Sequence, residues 1–250
     1  MQDKQSVYDK DGFFDLYQKL RSNPNSLNEI VEKPTMLGLV GGVSGKRILD
    51  LGCGCGEHLR LYLERGAAFV VGIDLSQSML QQAAKNLAEF RPHFLLEQAS
   101  MERLDQLNEG GFDLITSSFA FHYVQDFPAL LAKIYAKLKP NGQLVFSQEH
   151  PIVTCYQGGE RWEKDAQKRQ LAYRLNFYRD EGERQRNWFK QPFTTYHRTT
   201  ATIINNLISA GFHIEQMAEP MLADQPQWQD EFKDLQHRPV LLFVKARKNT

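Results

Sequence analysis

No stretch of this sequence approaches the roughly 18 consecutive apolar residues that a membrane-spanning helix requires, so no such helix is expected. Cysteine is scarce. Of the three in 250 residues, Cys53 and Cys55 stand one residue apart and Cys155 lies far from both. That spacing makes neither a disulfide framework nor a paired metal-ligand motif. No histidine sits in a His-Glu-x-x-His frame, and the expectation is that no metal is bound. Excess charge of either sign is missing too. Lysine plus arginine number 30 and aspartate plus glutamate 30, so no global field draws the protein to nucleic acid or an anionic membrane. Residues 1–12 have neither the apolar run of a secretory signal nor the acid-poor look of a transit peptide. A cytoplasmic enzyme is the expected class. The length fits a single domain, 1–250, with a proper core.

What is present is organised around one stretch, Arg47-Ile48-Leu49-Asp50-Leu51-Gly52-Cys53-Gly54-Cys55-Gly56-Glu57. A short apolar run ends in three glycines spaced two apart, and an amphipathic segment follows. This reads as a buried parallel strand, a tight turn, and a helix whose first free N–H groups point back at the turn. Such a turn lets a ligand lie against bare backbone. About 20 residues on, in the position of a ribose-binding acid, the strand Phe69 to Ile73 ends in Asp74. Together they indicate a nucleoside cofactor at the carboxyl edge of an α/β sheet. The dinucleotide fingerprint needs a glycine at its sixth position, but Glu57 or Leu59 stands there, depending on which glycine starts the frame. A carboxylate at the helix start is also a poor neighbour for a pyrophosphate.

Further along, periodicity places a helix over Leu59 to Leu63 and a second capped by Ser76, with Met79, Leu80, Ala83, Ala84 and Leu87 on one face. Strands are expected at Phe94–Leu96, Phe112–Ser117 and Leu144–Ser147, with Asp126 capping a long helix and Lys139-Pro140-Asn141-Gly142 forming a turn. Before the sheet, residues 12–40 read as one or two helices, part of a helical cap over 1–45. After it, 150–195 read as a lid, with a hairpin pairing the Leu171–Phe177 segment with Arg184–Phe189. A helix through Ile203, Ile204, Leu207 and Ile208 closes at Gly211. The two final strands, from Phe212 and from Val240, lack a long crossover and should pair antiparallel.

Asp50-x-Gly-x-Gly-x-Gly followed by a strand-end acid resembles the first two motifs of the class I S-adenosylmethionine-dependent methyltransferases, in the small-domain branch that includes the ubiquinone-biosynthesis-like enzymes. The resemblance covers 47–148 and extends to Phe121-His122-Tyr123, Leu138 to Gly142, Tyr196 to Thr199 and Ala210-Gly211-Phe212. It implies a Rossmann-like three-layer α/β sandwich whose seven-stranded, mostly parallel sheet runs 3-2-1-4-5-7-6 with the last strand antiparallel. It implies S-adenosyl-L-methionine as cofactor and S-adenosyl-L-homocysteine as product. Carried over residue by residue, Asp50, Gly52, Cys53, Gly54 and Gly56 form the cofactor turn, Asp74 and Leu75 the ribose site, and Met79 a neighbour of the adenine. Ser117 belongs to the fourth-strand motif. Tyr17 and Arg21, one helical turn apart, can reach the cofactor carboxylate. Ser100 and Met101 stand where the family often has an Asp-Ala pair, which leaves adenine to be recognised without that acid.

Methyl transfer from a sulfonium needs alignment and exclusion of water more than acid–base chemistry, and a base matters only when the acceptor carries a proton. Candidates at the ends of strands four and five are His122, Glu149 and His150. Phe121, Tyr156, His197 and Arg198 are candidate substrate contacts. The alternatives are that His122 merely shapes the pocket, Glu149 is a strut for the lid, and the lid aromatics are packing. The leading expectation is methylation of a small polar metabolite, with a polar or acidic group facing Arg198 or the basic lid. An RNA or protein methyltransferase is the first rival, kept by nine lysines or arginines against six acids over 160–190. The Asn-Pro-Pro-Tyr motif used on base amines is replaced here by Ser117-Ser118-Phe119, and nucleic acid is disfavoured. A protein that binds the cofactor without catalysis is the second rival. A monomer and a homodimer are both compatible with the pattern.

Overall fold

The structure, a computed structural model, describes residues 23–188, 191–221 and 232–249, together with Asp9, Phe14 and Lys19. The expected cofactor contacts Tyr17 and Arg21 lie outside the described residues. A π-helical turn, Asn28–Glu32, runs into α1, Lys33–Val40. There follow β1 (Arg47–Leu51), α2 (Glu57–Glu64), β2 (Phe69–Asp74), α3 (Gln77–Asn86), β3 (Phe94–Gln98), β4 (Phe112–Ser117), α4 (Phe127–Lys137) and β5 (Leu138–Glu149). After a short helix, α5 (Pro151–Thr154), come β6 (Trp162–Lys164), β7 (Gln170–Tyr173), β8 (Gly182–Trp188) and β9 (Gln191–His197). The chain returns to the sheet through α6 (Thr200–Ser209), β10 (Phe212–Ala218) and β11 (Leu241–Lys248).

The seven-stranded sheet runs β3-β2-β1-β4-β5-β11-β10. With the insertion strands β6 to β9 set aside, this is the expected 3-2-1-4-5-7-6. β1 to β5 pair in parallel, and β11 runs antiparallel to both β5 and β10. Successive strand side chains point to opposite faces, so the sheet feeds two cores. Ile48, Leu114, Val145 and Phe243 pack with Met36, Leu59 and Tyr62 on the α1–α3 side. Leu49, Ile115, Leu144 and Phe146 pack with Phe127, Leu130, Ile134 and Leu207 on the α4 and α6 side. Being covered on both faces is what makes β1, β2 and β4 read as nearly continuous apolar runs.

The local stop and start signals act as expected. The Ser76 hydroxyl accepts from Met79 N–H at 3.2 Å, and Asp126 accepts from Ala129 N–H at 3.0 Å. Gly211, just past α6, takes φ +92°, the left-handed form that ends helices.

Two expectations need correction. The insertion holds two hairpins rather than one. β7 pairs antiparallel with β6, through Trp162↔Tyr173, and β8 pairs with β9, through Gly182↔His197. The alternation of Leu171, Leu175 and Phe177 does not mark a buried face, since all three are exposed. The partner of β7 lies upstream of it, and β8 pairs with β9 instead of with the 171–177 segment. The expected turn at Lys139–Gly142 lies inside a longer β5, which begins at Leu138 and whose pairing with β4 is interrupted there. Phe112 pairs with Leu138 and Leu114 with Gln143, and Asn141 absorbs the extra chain at φ +62°.

Phe146 is fully buried, with its ring 4.8 Å from Phe121 and 6.4 Å from Phe127. Phe146→Ala is expected to cost about 3–5 kcal/mol, read as a lower urea midpoint with an unchanged slope.

Candidate functional site

The carboxyl ends of β1 and β2 are joined through the glycine turn. Gly52 and Cys53 N–H groups both donate to Ile73 O, at 2.9 and 3.0 Å. The Asp74 carboxylate then clamps the two loops. Oδ2 accepts from Gly54 N–H at 2.9 Å and Oδ1 from Ser76 N–H at 2.8 Å. Burial pushes the Asp74 pKa up, against the pull of those two N–H groups. The Leu75 N–H is a third backbone donor to this carboxylate, and with about two acceptor positions on each oxygen some capacity is left, which suits a ribose hydroxyl.

The glycines are required for different reasons. A Cβ on Gly52 would lie 2.9 Å from the Ala120 Cβ, whereas one on Gly54 would meet nothing within 4 Å. Gly52 is bare so that the turn can fit beneath the β4 loop. Gly54, at φ +52°, presents its backbone to open space. This open backbone beside a half-used carboxylate fits the adenosyl group of S-adenosylmethionine.

Around this edge the expected cofactor residues take varied posts. Asp50 is buried and accepts from the Thr116 hydroxyl at 2.8 Å. Desolvation raises its pKa to about 6, with nearby His58 opposing. Cys53 packs its thiol where Gly72 leaves room, and burial pushes that thiol's pKa up. Gly56 precedes α2 at φ +78°. Leu75 is exposed, and Met79 is buried with its sulfur 3.4 Å from Cys55 Sγ. The Ser100 hydroxyl caps the turn of 3-10 helix at Met101–Gln106, accepting from Glu102 N–H at 3.2 Å. The Met101 Cε lies 3.3 Å from where a Gly52 Cβ would be, so its side chain covers the turn. Ser117 donates to Leu51 O at 2.8 Å. Its hydroxyl is thereby committed to tying β4 to β1.

The second half of the site lies where β4 and β5 end. His122, 4% exposed, accepts at Nδ1 from Glu149 N–H at 3.4 Å. A neutral ring bonded in this way carries its proton on Nε2. Burial lowers the His122 pKa to about 4, with Glu149 opposing and Arg186 and Arg198 assisting. The Glu149 carboxylate forms an ion pair with Arg186 of β8. Burial pushes Glu149 up, but His122 when protonated and the permanently charged Arg186 and Arg161 bring it below the usual carboxylate range.

Several expected contacts point elsewhere. His150 accepts from Ile152 N–H at 3.1 Å and pairs through Nε2 with Glu219 at 2.8 Å. His197 bonds Thr154 Oγ1 and Tyr178 O, each at 2.8 Å. Both rings have both nitrogens committed within the fold, which corrects the expectation that they face substrate. Phe121 is also corrected: with no polar edge to keep it out, its ring is fully buried between Phe127 and Phe146. Tyr156 donates to Gly159 O at 2.8 Å, and the Arg161 guanidinium lies over its ring at 3.8 Å. Arg198 donates to Val124 O and Gln125 O. Burial lowers its pKa to about 10, which leaves it charged at neutral pH.

Three residues escaped sequence reasoning. Asp9 accepts from the Ser76 hydroxyl at 2.6 Å and from Ser78 N–H at 3.2 Å, at the start of α3. Glu32, 1% exposed, accepts from the Ser118 and Ser147 hydroxyls at 2.6 and 2.7 Å, and so binds α1 to the ends of β4 and β5. An acid inside the apolar stripe of Ile30, Val31 and Met36 was the one available signal. Arg186 is the third, and nothing local distinguished it from its basic neighbours. Among the described residues no group of three or more His, Cys, Asp or Glu is placed to hold a metal, and no helix is long and apolar enough to cross a membrane.

With this geometry, residues 48–142 match the family described as Methyltransferase domain. A solved S-adenosylmethionine dependent methyltransferase of Mesorhizobium loti is 35% identical, with 89% of this chain covering 100% of that one at a TM-score of 0.77. The chain therefore belongs to the class I S-adenosylmethionine-dependent methyltransferases. It is 67% identical, over 99% of both chains, to a Haemophilus influenzae protein described as uncharacterized. A ubiquinone biosynthesis O-methyltransferase of Alkalilimnicola ehrlichii is 38% identical over 109 residues, and the chain spans only 43% of that relative's length.

Two outcomes are expected. Asp74→Ala should weaken calorimetric binding of S-adenosylhomocysteine by about tenfold or more, since charge-assisted hydrogen bonds contribute roughly 1.5–3 kcal/mol. The second concerns pH. Between the unfolded Asp50 value of 3.8 and the folded value of about 6, the folded chain keeps a proton that the unfolded chain has lost, so rising pH costs stability there. His122 acts oppositely, adding stability as pH rises from about 4 to 6.5, but equally in wild type and variant. Asp50→Asn should therefore match wild type in urea midpoint near pH 4 and exceed it above about pH 6, by up to about 3 kcal/mol.

Proposed function

We propose that the protein methylates a small molecule held between the ends of β4 and β5 and the hairpins of residues 150–195. One observation carries this reading: the insertion reaches back over the sheet edge and pairs Arg186 with Glu149, beside the buried His122. A site bridged by the insertion at that point suits a compact acceptor. An RNA or a folded protein needs an open approach, and the acids interspersed through the insertion argue for a solvated outer surface. The names of the ubiquinone-pathway relatives support the same class of acceptor. Three cysteines outside any disulfide agree with a reducing, cytoplasmic setting.

S-adenosylmethionine supplies a methyl group already activated on a sulfonium. In this reading the backbone of Gly52, Cys53 and Gly54 lies under its methionine part and Asp74 takes the ribose hydroxyls. Leu75 and Met101 offer apolar contact to the adenosine, while Asp50 and Ser117 shape the floor through Thr116 and Leu51. His122 orients the acceptor through Nε2–H, and Glu149 sets the position of the β8–β9 hairpin through Arg186. His150 and His197 hold the insertion in place.

The test is formation of S-adenosylhomocysteine with a metabolite extract and, separately, with unmodified RNA. Product is expected with the extract, and product with RNA alone would overturn the small-molecule reading. His122→Ala is expected to lower kcat/KM by more than about tenfold, or roughly 1.4 kcal/mol of transition-state stabilisation. Its affinity for S-adenosylhomocysteine should stay within a few-fold of wild type.

A further inference from the structure

Among the described residues, the histidines and the carboxylate named at the acceptor end share two properties: none is poised to take a proton, and Glu149 is acted on by two arginines, Arg186 and Arg161. Methylating a hydroxyl, an ammonium or a carbon acid requires a base to remove a proton. The lone pair on His122 Nδ1 accepts the Glu149 N–H, which places the proton on Nε2 and makes that nitrogen a donor. Both nitrogens of His150 and both of His197 are committed within the fold. The remaining candidate, Glu149, is ion-paired with Arg186, and its low pKa makes it a poor base.

The charge count runs the same way. Glu149 is faced by Arg186 and also feels Arg161. Arg161 stacks on Tyr156 and has no carboxylate partner among the described residues. A guanidinium carries five N–H donors in a planar fork. The ion pair to Glu149 runs through Nη1, which leaves donors on Arg186 for a second oxyanion. His122 Nε2–H adds a neutral donor beside it.

We propose that the acceptor atom is a carboxylate oxygen of a small organic acid, and that Arg186, assisted by Arg161 and His122, binds and orients it. The proposal rests on the methyl-transfer reading above and narrows its substrate class. A lone pair of the carboxylate oxygen attacks the methyl carbon. The new O–C bond forms as the C–S bond breaks, and the departing pair stays on sulfur. Anion and sulfonium become a neutral ester and a neutral thioether, and no proton moves. Opposite charges that cancel in the transition state gain from a water-poor site, in keeping with the burial of His122 and the partial burial of Glu149.

The experiment uses the whole chain, methyl-tritiated S-adenosylmethionine and a small-molecule extract as acceptor source. Methyl esters are cleaved by mild alkali to volatile tritiated methanol, whereas N-, C- and ether O-methyl groups are not. The expected result is transferred label that is largely alkali-labile. Arg186→Gln should raise the apparent KM for the extract acceptor by about tenfold or more, with a smaller change in kcat. Arg186→Lys, which keeps the charge but loses the fork, should recover part of that loss. Both variants should bind S-adenosylhomocysteine calorimetrically within about twofold of wild type, a readout independent of turnover that also reports an intact fold. Alkali-stable label would overturn the carboxylate proposal and leave the small-molecule methyltransferase reading standing. No transfer to any component of the extract, despite cofactor binding, would overturn both. An unchanged KM in Arg186→Gln would remove Arg186 from acceptor binding and overturn the proposal.

Discussion

The Asp74 carboxylate is the hinge of the cofactor edge. It holds the turn after β1 through Gly54 N–H and the start of α3 through Ser76 N–H, so two loops that the sheet only brings near each other become one surface. Burial raises its pKa, and those bonds oppose the rise without reversing it. The rest of the edge depends on this arrangement. Gly52 must be bare to pass under Ala120, Gly54 must be open, and Ser76 is free to cap α3 because Asp74 holds its N–H. Asp9 then reaches the same helix start from the N-terminal segment.

The edge where β4 and β5 end follows a different principle. Here burial decides protonation: His122 is kept neutral and Glu149 is kept ionised by the cations around it. The ion pair that holds Glu149 is also what ties the β8–β9 hairpin to the sheet. Electrostatics and lid placement are thus one feature, and a residue that looks catalytic by position can act by holding its neighbour. Glu32 does comparable work from the opposite face, gathering Ser118 and Ser147 under α1. Phe119 between them sits at φ +54°, a conformation rare for a bulky side chain and common at functional sites.

How far the sequence could be read depended on range. The glycine turn, the strand-end acid, the Ser76 and Asp126 caps and the Gly211 stop are local patterns, and they led to the right sheet once the family resemblance supplied the strand order. The insertion was not local in that sense. The alternation at Leu171 to Phe177 is genuine, but its strand partner was set by Trp162–Lys164 upstream, and no periodicity carries that choice. Arg186 meets Glu149 across 37 residues and Glu32 meets Ser147 across 115. Single charged residues at such separations leave no pattern to find. Phe121 misled for a simpler reason: it neighbours His122 in sequence, yet the 3-10 turn sends the two rings to different surroundings.

The central claim, that Asp74 binds a ribose through the acceptor capacity its backbone bonds leave unused, is tested most directly by calorimetry. S-adenosylhomocysteine and its 2′,3′-dideoxy analogue would be titrated into the wild-type chain and into Asp74→Asn. The account predicts a large affinity difference between the two ligands in wild type and little difference in the variant. An equal difference in both proteins would contradict it, placing recognition of the hydroxyls on some other group.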